Sequence, residues 1–80
     1  MKLELFKKNN CPYCRKIMKY LEEVSRTDVE MRDIAKEPES LEKLLEVGGK
    51  KQVPCLFING EALYESDAIL AWLAEHPQAV

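Results

Sequence analysis

A pair of cysteines separated by two residues lies where a strand pattern changes to a helix pattern, and this junction constrains the fold most. Before the pair, Leu3 and Leu5 alternate with polar residues, as in a short strand. Pro12, between the cysteines, suits the first turn of a helix, where no N–H is needed from it. After the pair, apolar residues recur at helical spacing. They are Ile17, Met18, Leu21 and Val24. The junction therefore predicts a strand, then a helix that starts at the cysteines.

A second strand and a second helix follow. Residues 25–28 read as a turn, and the apolar residues Val29, Met31 and Ile34 indicate the strand. Glu37-Pro38 opens the helix and Gly48-Gly49 ends it. Its predicted buried residues are Leu41, Leu44, Leu45 and Val47.

The last part of the chain predicts a hairpin and a third helix. Residues 53–58 are dense in apolar side chains, and Asn59-Gly60 is a strong hairpin signal that leads into a strand over 62–64. Ser66 or Asp67 is expected to cap the final helix. Its apolar face is Ala68, Ile69, Trp72 and Leu73. The order β-α-β-α-β-β-α predicts an α/β fold with one four-stranded mixed sheet and helices on both faces.

Composition narrows the functional classes. The chain has 80 residues, which predicts a single domain over 1–80. Its net charge is −2, and acidic and basic residues are interspersed, so we expect neither a nucleic-acid nor a membrane partner. Three cysteines are too few for a secreted disulfide scaffold, and no export signal is apparent. We therefore expect a cytoplasmic monomer.

The cysteine pair is suited to redox chemistry. Cys11 is predicted at a helix N-terminus, where free backbone N–H groups and the helix dipole favour a thiolate. Lys8 and Arg15 are near enough in sequence to add positive potential. Cys14, one turn further, is placed to attack a mixed disulfide on Cys11. Structural zinc and a pair of inert buried thiols remain alternatives. Zinc is disfavoured because His76 alone cannot complete the four ligands.

The tetrad Cys11-Pro12-Tyr13-Cys14, together with Val53-Pro54, resembles the glutaredoxin family over essentially the whole chain. The resemblance implies a thioredoxin-like fold. It also implies a glutathione-dependent oxidoreductase that reduces protein disulfides and protein–glutathione mixed disulfides, in electron transport and cell redox homeostasis. Glutathione would be the co-substrate, oxidised or glutathionylated proteins the partners, and no metal would be expected.

The resemblance assigns roles residue by residue. Cys11 is expected to be the nucleophile and Cys14 the resolving thiol. Lys8 matches a basic residue beside the thiolate and the glycine carboxylate of glutathione. Pro54 is expected in the cis form beside the cysteines. The expected glutathione-binding residues are Lys8, Tyr13, Val53, Pro54, Ser66 and Asp67.

Two segments depart from the family pattern. Gln52 stands where threonine is usual, and Leu63-Tyr64, followed by Glu65, replaces a Gly-Gly step before the last helix. Glu65-Ser66, with Ala68-Ile69 after it, instead resembles the N-terminal domain of glutathione transferases, which also bind the γ-glutamyl group there. Lys50, Lys51 or Gln52 is expected to meet the other carboxylate of glutathione.

The role of Cys55 and the identity of the reductant each have more than one interpretation. Cys55 directly follows Pro54. It suits a small buried strand residue, a third redox thiol or an extra ligand. The chain could also be a redoxin reduced by a flavoenzyme. A third class is a module that binds glutathione or an iron–sulfur cluster, with Cys11 supplied by each of two subunits.

Overall fold

The computed structural model describes residues 2–78, and its elements follow the predicted order. Its α-helices and strands are β1 (Leu3–Lys7), α1 (Pro12–Glu23), β2 (Val29–Asp33), α2 (Pro38–Lys43), β3 (Cys55–Ile58), β4 (Glu61–Tyr64) and α3 (Ser66–Glu75). A single π-helical segment, Leu44–Gly48, continues α2. Within residues 2–78, no helix combines the length and the apolar character that a membrane crossing requires.

The four strands form one mixed sheet in the order β2-β1-β3-β4, which confirms the prediction. β1 runs parallel to β2, with Lys7 opposite Asp33. β3 is antiparallel to both β1 and β4. The turn between β3 and β4 places Asn59 at φ 51° and Gly60 at φ 87°, as a tight hairpin turn requires. The parallel pair and the hairpin therefore meet at β1 and β3, in the centre of the sheet.

Each face of the sheet is covered by helices and has its own apolar core, because alternate strand residues point to opposite faces. The core shared with α1 and α3 consists of Leu3, Leu5, Ile17, Leu21, Leu56, Ile69 and Leu73. The core under α2 and the π-helical segment consists of Phe6, Ile34, Leu44, Cys55 and Phe57. The predicted placement of helices on both faces is thus confirmed.

Several residues predicted to be buried are exposed instead. Leu45 and Val47 are 45% and 50% exposed. They follow Leu44 in the π-helical segment, whose wider turn shifts the phase of the apolar face away from the sheet. Val24 is 50% exposed because α1 ends at Glu23 and Val24 is its C-cap. Ala68, predicted on the apolar face of α3, is also exposed.

The third strand is shorter than predicted. It begins at Cys55, so that Val53 and Pro54 lie in the loop before it. Pro54 has no N–H to donate to a strand ladder, which suits a position outside the paired region. The Val53–Pro54 peptide bond is cis, as the family resemblance implies.

Candidate active site

Cys11 occupies the N-cap of α1. Its backbone is extended, and Pro12 takes the first helical position. The Cys11 Sγ atom accepts a hydrogen bond from the backbone N–H of Cys14, at 3.4 Å. The Cys11 carbonyl accepts from Arg15 N at 2.9 Å, which starts the helical ladder. The sulfur therefore lies where the N–H groups of the first turn point, in a partly exposed position.

Cys14 lies one turn further along α1 and is fully buried. It belongs to the buried stripe of α1 with Ile17 and Leu21. Cys11, Cys14 and Cys55 are all free thiols in the structure. A buried thiol next to a partly exposed one is the arrangement that a dithiol exchange needs, because only Cys11 is open to a substrate.

The two thiols have opposite shifts in pKa. Burial acts to raise the pKa of Cys11, but donation by the Cys14 thiol, the backbone N–H groups of Cys14 and Tyr13, and the Lys8 charge together lower it below 9.0. Burial raises the pKa of Cys14 to about 11. Near neutral pH, Cys11 is therefore the better source of a thiolate and Cys14 stays protonated.

Lys8 and Tyr13 flank Cys11. Lys8 is half-buried, follows β1 directly, and accepts at its carbonyl from Cys11 N at 3.4 Å. The positive charge of Lys8 helps to lower the pKa of Cys11. Tyr13 is 64% exposed and stands at the edge of the site. Both residues are beside Cys11 in the folded chain, where a bound thiol compound would meet them.

A groove of about 410 Å³ opens beside Tyr13 and brings together three separate segments. It joins the start of α1, the loop before β3 and the start of α3. Its lining residues are Tyr13, Gln52, Val53, Pro54, Glu65, Ser66 and Asp67. Five of the six residues predicted to bind glutathione thus line one groove, and the sixth, Lys8, lies next to Cys11.

The start of α3 differs from the predicted cap. The helix begins at Ser66 with Glu65 as its N-cap residue, and no side chain caps it. Neither Ser66 nor Asp67 is therefore the cap that the sequence predicted. Ser66 and Asp67, in the first turn, line the groove, and the free N–H groups of a first helical turn suit an anion. Asp67 instead forms an exposed ion pair with Lys16, 3.6 Å apart.

The two sequence departures meet across the groove. Gln52 Nε2 donates to Glu65 Oε1 at 3.2 Å. Glu65 has φ 74°, a left-handed conformation that glycine adopts more readily. The sequence marks both segments as departures from the family pattern but does not place Gln52 and Glu65 in contact.

Tyr64 fixes the loop that carries the predicted lysines. Its hydroxyl donates to the Lys50 carbonyl at 3.0 Å and packs against Gly48. The Lys50 ammonium stands 4.8 Å above the Tyr64 ring. Lys50 is therefore engaged with Tyr64, while Gln52 lines the groove and Lys51 is exposed.

Cys55 is a buried strand residue. It is fully buried at the start of β3, in the core under α2. Burial raises its pKa to about 11, so it holds its proton at neutral pH. Among residues 2–78, no three His, Cys, Asp or Glu side chains are grouped to hold a metal ion. A cluster site on Cys11 would therefore need ligands from another molecule.

Comparisons with known proteins agree with this geometry. The family model described as Glutaredoxin matches residues 3–63, from β1 to β4. A search of curated proteins finds no match. Wheat glutaredoxin has 26% sequence identity and a TM-score of 0.69, and the alignment covers 94% of this chain and 72% of that one.

Two further solved structures contain glutathione. The buckwheat glutaredoxin–glutathione complex has 22% identity and a TM-score of 0.70, covering 92% of this chain and 69% of that one. A glutathione S-transferase from Methylobacillus flagellatus, with glutathione bound, has 28% identity and a TM-score of 0.75, covering 94% of this chain and 37% of that one. The buckwheat likeness supports the fold.

Proposed function

This chain belongs to the glutaredoxin family, and on that premise we propose that it is a glutathione-dependent thiol–disulfide oxidoreductase acting through Cys11 and Cys14. The observation that carries the proposal is the site of Cys11. Its sulfur accepts a hydrogen bond from the Cys14 N–H at the start of α1, and Tyr13, two residues along, lines the groove of about 410 Å³. A reactive thiolate and a place for a thiol co-substrate are thus adjacent.

The first step is attack by the Cys11 thiolate on a substrate disulfide. A bond forms between Cys11 Sγ and one substrate sulfur, the substrate S–S bond breaks, and the other sulfur leaves with the electron pair and takes a proton. The N–H groups of Tyr13 and Cys14 favour the charged form of Cys11 before attack. They increase the fraction of Cys11 that is present as the thiolate.

The second step resolves the mixed disulfide by one of two routes. Glutathione attacks it when the substrate was a glutathionylated protein, which releases oxidised glutathione and regenerates Cys11. Cys14 attacks it when the substrate was a protein disulfide, which leaves a Cys11–Cys14 disulfide that two glutathione molecules reduce. Because Cys14 is fully buried, an incoming disulfide meets Cys11 first and Cys14 acts only on the mixed disulfide at Cys11.

The groove offers complementary chemistry for glutathione. The N–H groups at the start of α3 suit its γ-glutamyl carboxylate, and the Val53 backbone, just before β3, suits pairing with its cysteinyl unit. Lys8 suits the glycine carboxylate. The wheat, buckwheat and Methylobacillus structures share this fold, and the latter two hold glutathione. Cytoplasmic location, a monomeric state and protein partners remain predictions.

Turnover of a glutathionylated peptide tests the proposal. The assay couples glutathione to glutathione reductase and follows NADPH consumption. We expect Cys11→Ser to lose all activity, because no nucleophile remains. Cys14→Ser is expected to lose reduction of protein disulfides but keep deglutathionylation. No turnover by the wild-type protein, or equal loss in both variants, would contradict the glutathione route.

The Gln52–Glu65 hydrogen bond favours one second candidate, a redoxin reduced directly by a flavoenzyme. This bond spans the groove, and the carboxylates of Glu65 and Asp67 add negative charge where an anionic tripeptide would sit. Under this candidate, a thioredoxin-reductase-type flavoenzyme with NADPH would reduce the Cys11–Cys14 disulfide without glutathione. Measuring NADPH consumption with each reductase separately decides between the two.

A further inference from the structure

Lys7 is a largely buried cation that the proposed mechanism has not used. It ends β1 and lies in register with Asp33, the last residue of β2. The Lys7 Nζ atom is 3.4 Å from Asp33 Oδ2, and the two side chains are only 12% and 10% exposed. Nζ also donates to Asn9 Oδ1 at 2.7 Å. Two acceptors therefore fix this ammonium at the base of the loop that leads to Cys11.

The alternation of β1 places Lys7 on the sheet face that α1 covers. Leu3 and Leu5 point to this face and pack with Ile17 and Leu21 of α1. Lys7, two residues after Leu5, continues the same row. The buried stripe of α1 is Cys14, Ile17 and Leu21. A crossover helix runs back along the strand that precedes it, so the start of α1 lies over the end of β1. Cys14, in the first turn of α1, is therefore expected on the side of Lys7, the last residue of β1.

The charged and titratable groups around Cys14 come from three elements. Cys11 is on the same helix, Lys7 is on β1, and Asp33 reaches Lys7 from β2. Burial raises the pKa of Cys14, and the Lys8 backbone N–H and the Lys7 charge both act to lower it. Lys8, by contrast, is the charged side chain that lowers the pKa of Cys11. The side-chain charge of Lys7 therefore acts on Cys14, and that of Lys8 acts on Cys11.

We propose that Lys7 is a positioning residue for the resolving step: its ammonium, held by Asn9 and Asp33, stabilises the thiolate that Cys14 forms as it attacks the mixed disulfide. This inference rests on the proposed thiol–disulfide exchange at Cys11. In the step, Cys14 loses its proton to solvent and forms a bond to Cys11 Sγ. The bond from Cys11 to the substrate sulfur breaks, and that sulfur leaves with the electron pair. Cys11 and Cys14 are oxidised together, and the substrate is reduced.

A chromogenic aromatic disulfide, 4,4′-dithiodipyridine, separates the two steps without glutathione. Attack by Cys11 releases one absorbing thione, and attack by Cys14 on the resulting mixed disulfide releases the second. Stopped-flow absorbance at pH 7 therefore gives a rate for each step. Cys14→Ser is expected to release one equivalent only, which shows that the second phase comes from Cys14 and not from the buried Cys55.

Charge changes of opposite sign at the buried pair distinguish an electrostatic role from a structural one. Lys7→Met is expected to slow the second phase by roughly threefold to tenfold, because fewer Cys14 thiolates form, although nucleophilicity partly compensates. Asp33→Asn is expected to speed it by about twofold or more, since it removes the negative charge. Asparagine keeps the Oδ1 atom that accepts from Ala35 N and Lys36 N. A merely structural pair would be weakened by both changes.

Lys7→Arg and Lys19→Met complete the set. Arginine keeps the positive charge and should hold the second phase near the wild-type rate. Lys19 is 79% exposed on α1, so Lys19→Met makes the same charge change away from the pair and should alter neither phase. The inference is overturned if Lys7→Met leaves the second phase unchanged, or if Asp33→Asn fails to exceed the wild-type rate. Absence of glutathione turnover would instead count against the proposed function, since this assay contains none.

Discussion

At the scale of single residues, the environment of Cys11 differs from those of Cys14 and Cys55. Cys11 is partly exposed at a helix N-terminus, while Cys14 and Cys55 are fully buried. The backbone N–H groups and Lys8 lower the pKa of Cys11 against the effect of burial. Burial raises the pKa of each of the other two thiols to about 11. Identical side chains therefore differ in reactivity because of desolvation and hydrogen bonding.

Selective alkylation tests this difference. At pH 7 we expect iodoacetamide to label Cys11 in the native reduced protein and to spare Cys14 and Cys55. Lys8→Met removes a positive charge near the Cys11 thiolate, so the pKa of Cys11 should rise and the pH midpoint of labelling should increase. Mass spectrometry over a pH series measures the midpoint, with Lys19→Met as the matched charge control. An unchanged midpoint would show that Lys8 is only a solvated lysine.

The buried Cys55 thiol predicts a loss of stability in alkali. Its pKa is about 11 in the folded chain against an ordinary value of 9.0. The contribution of the protonated Cys55 thiol to folding stability is complete below pH 9. It is lost as the pH rises through 11, because Cys55 releases its proton at a lower pH in the unfolded chain than in the folded one. Between pH 7 and 10.5, the free energy of unfolding of the wild type should therefore fall by roughly 1–2 kcal/mol more than that of Cys55→Ala. Urea unfolding of the reduced proteins at the two pH values measures this, and equal losses would refute it.

At the scale of elements, β1 has a polar residue where the alternation of its sequence suggests a solvent-facing position. Glu4 is only 2% exposed, because the strand lies inside the sheet and α2 covers that face. Its carboxylate accepts from Arg32 Nε and from Lys43 Nζ, each at 3.0 Å. Burial acts to raise the pKa of Glu4, but Lys43 and Arg32 lower it overall. The strand thus buries a charge that two neighbouring elements compensate.

Neutralising Glu4 should weaken the contact of α2 with the sheet. Glu4→Gln leaves Arg32 and Lys43 without their shared anion, and we expect a loss of about 1–3 kcal/mol in the free energy of unfolding at pH 7. Folding lowers the pKa of Glu4. The wild type should therefore be more stable than Glu4→Gln above about pH 4.5, and this difference in stability should disappear as the pH falls through the pKa of Glu4 in the folded chain. Thermal or urea unfolding at pH 7 and 3 measures it. The exposed Glu42→Gln is the control, and an advantage that persists at pH 3 would contradict the electrostatic account.

At the scale of the whole molecule, two grooves of similar volume compete as ligand sites. The groove beside Cys11 is about 410 Å³ and is formed by the starts of α1 and α3 and the loop before β3. The other, about 400 Å³, lies at the carboxyl ends of α1 and α3 and is lined in part by Tyr20, Arg26 and Leu73. Volume does not separate them. The first is lined by residues at the starts of α1 and α3, next to Cys11 in the chain, whereas the second lies at the opposite ends of both helices.

Glutathione titrated into the oxidised protein distinguishes the two grooves. We expect the amide chemical shifts of Tyr13, Val53 and Ser66 to move together, because the three residues surround one groove. The amide chemical shifts of Tyr20 and Leu73, which line the second groove, should not change. Ser66→Ala should weaken binding modestly, by about 1 kcal/mol, since a hydroxyl contact is lost while the backbone N–H groups remain. Shifts confined to the second groove would contradict the proposed glutathione site.

The sequence by itself determined the element order and the topology, and it predicts a redox role for the cysteine pair. Alternation in β1, helical spacing after Pro12 and the Asn59-Gly60 turn are local patterns, and local backbone preferences settle them. The family model and the sheet order agree with these predictions. Cys11 at the first turn of a helix follows from the same local reasoning.

Only the tertiary structure decided which distant residues meet. The contact of Gln52 with Glu65, the burial of Glu4 and the pairing of Lys7 with Asp33 join residues 13 to 39 positions apart. The wide π-helical segment that exposes Leu45 also depends on how α2 docks on the sheet. Charge and burial at these sites arise from packing between elements, and a periodic pattern along one element does not contain that information. The same packing buries Cys14 on the inner face of α1.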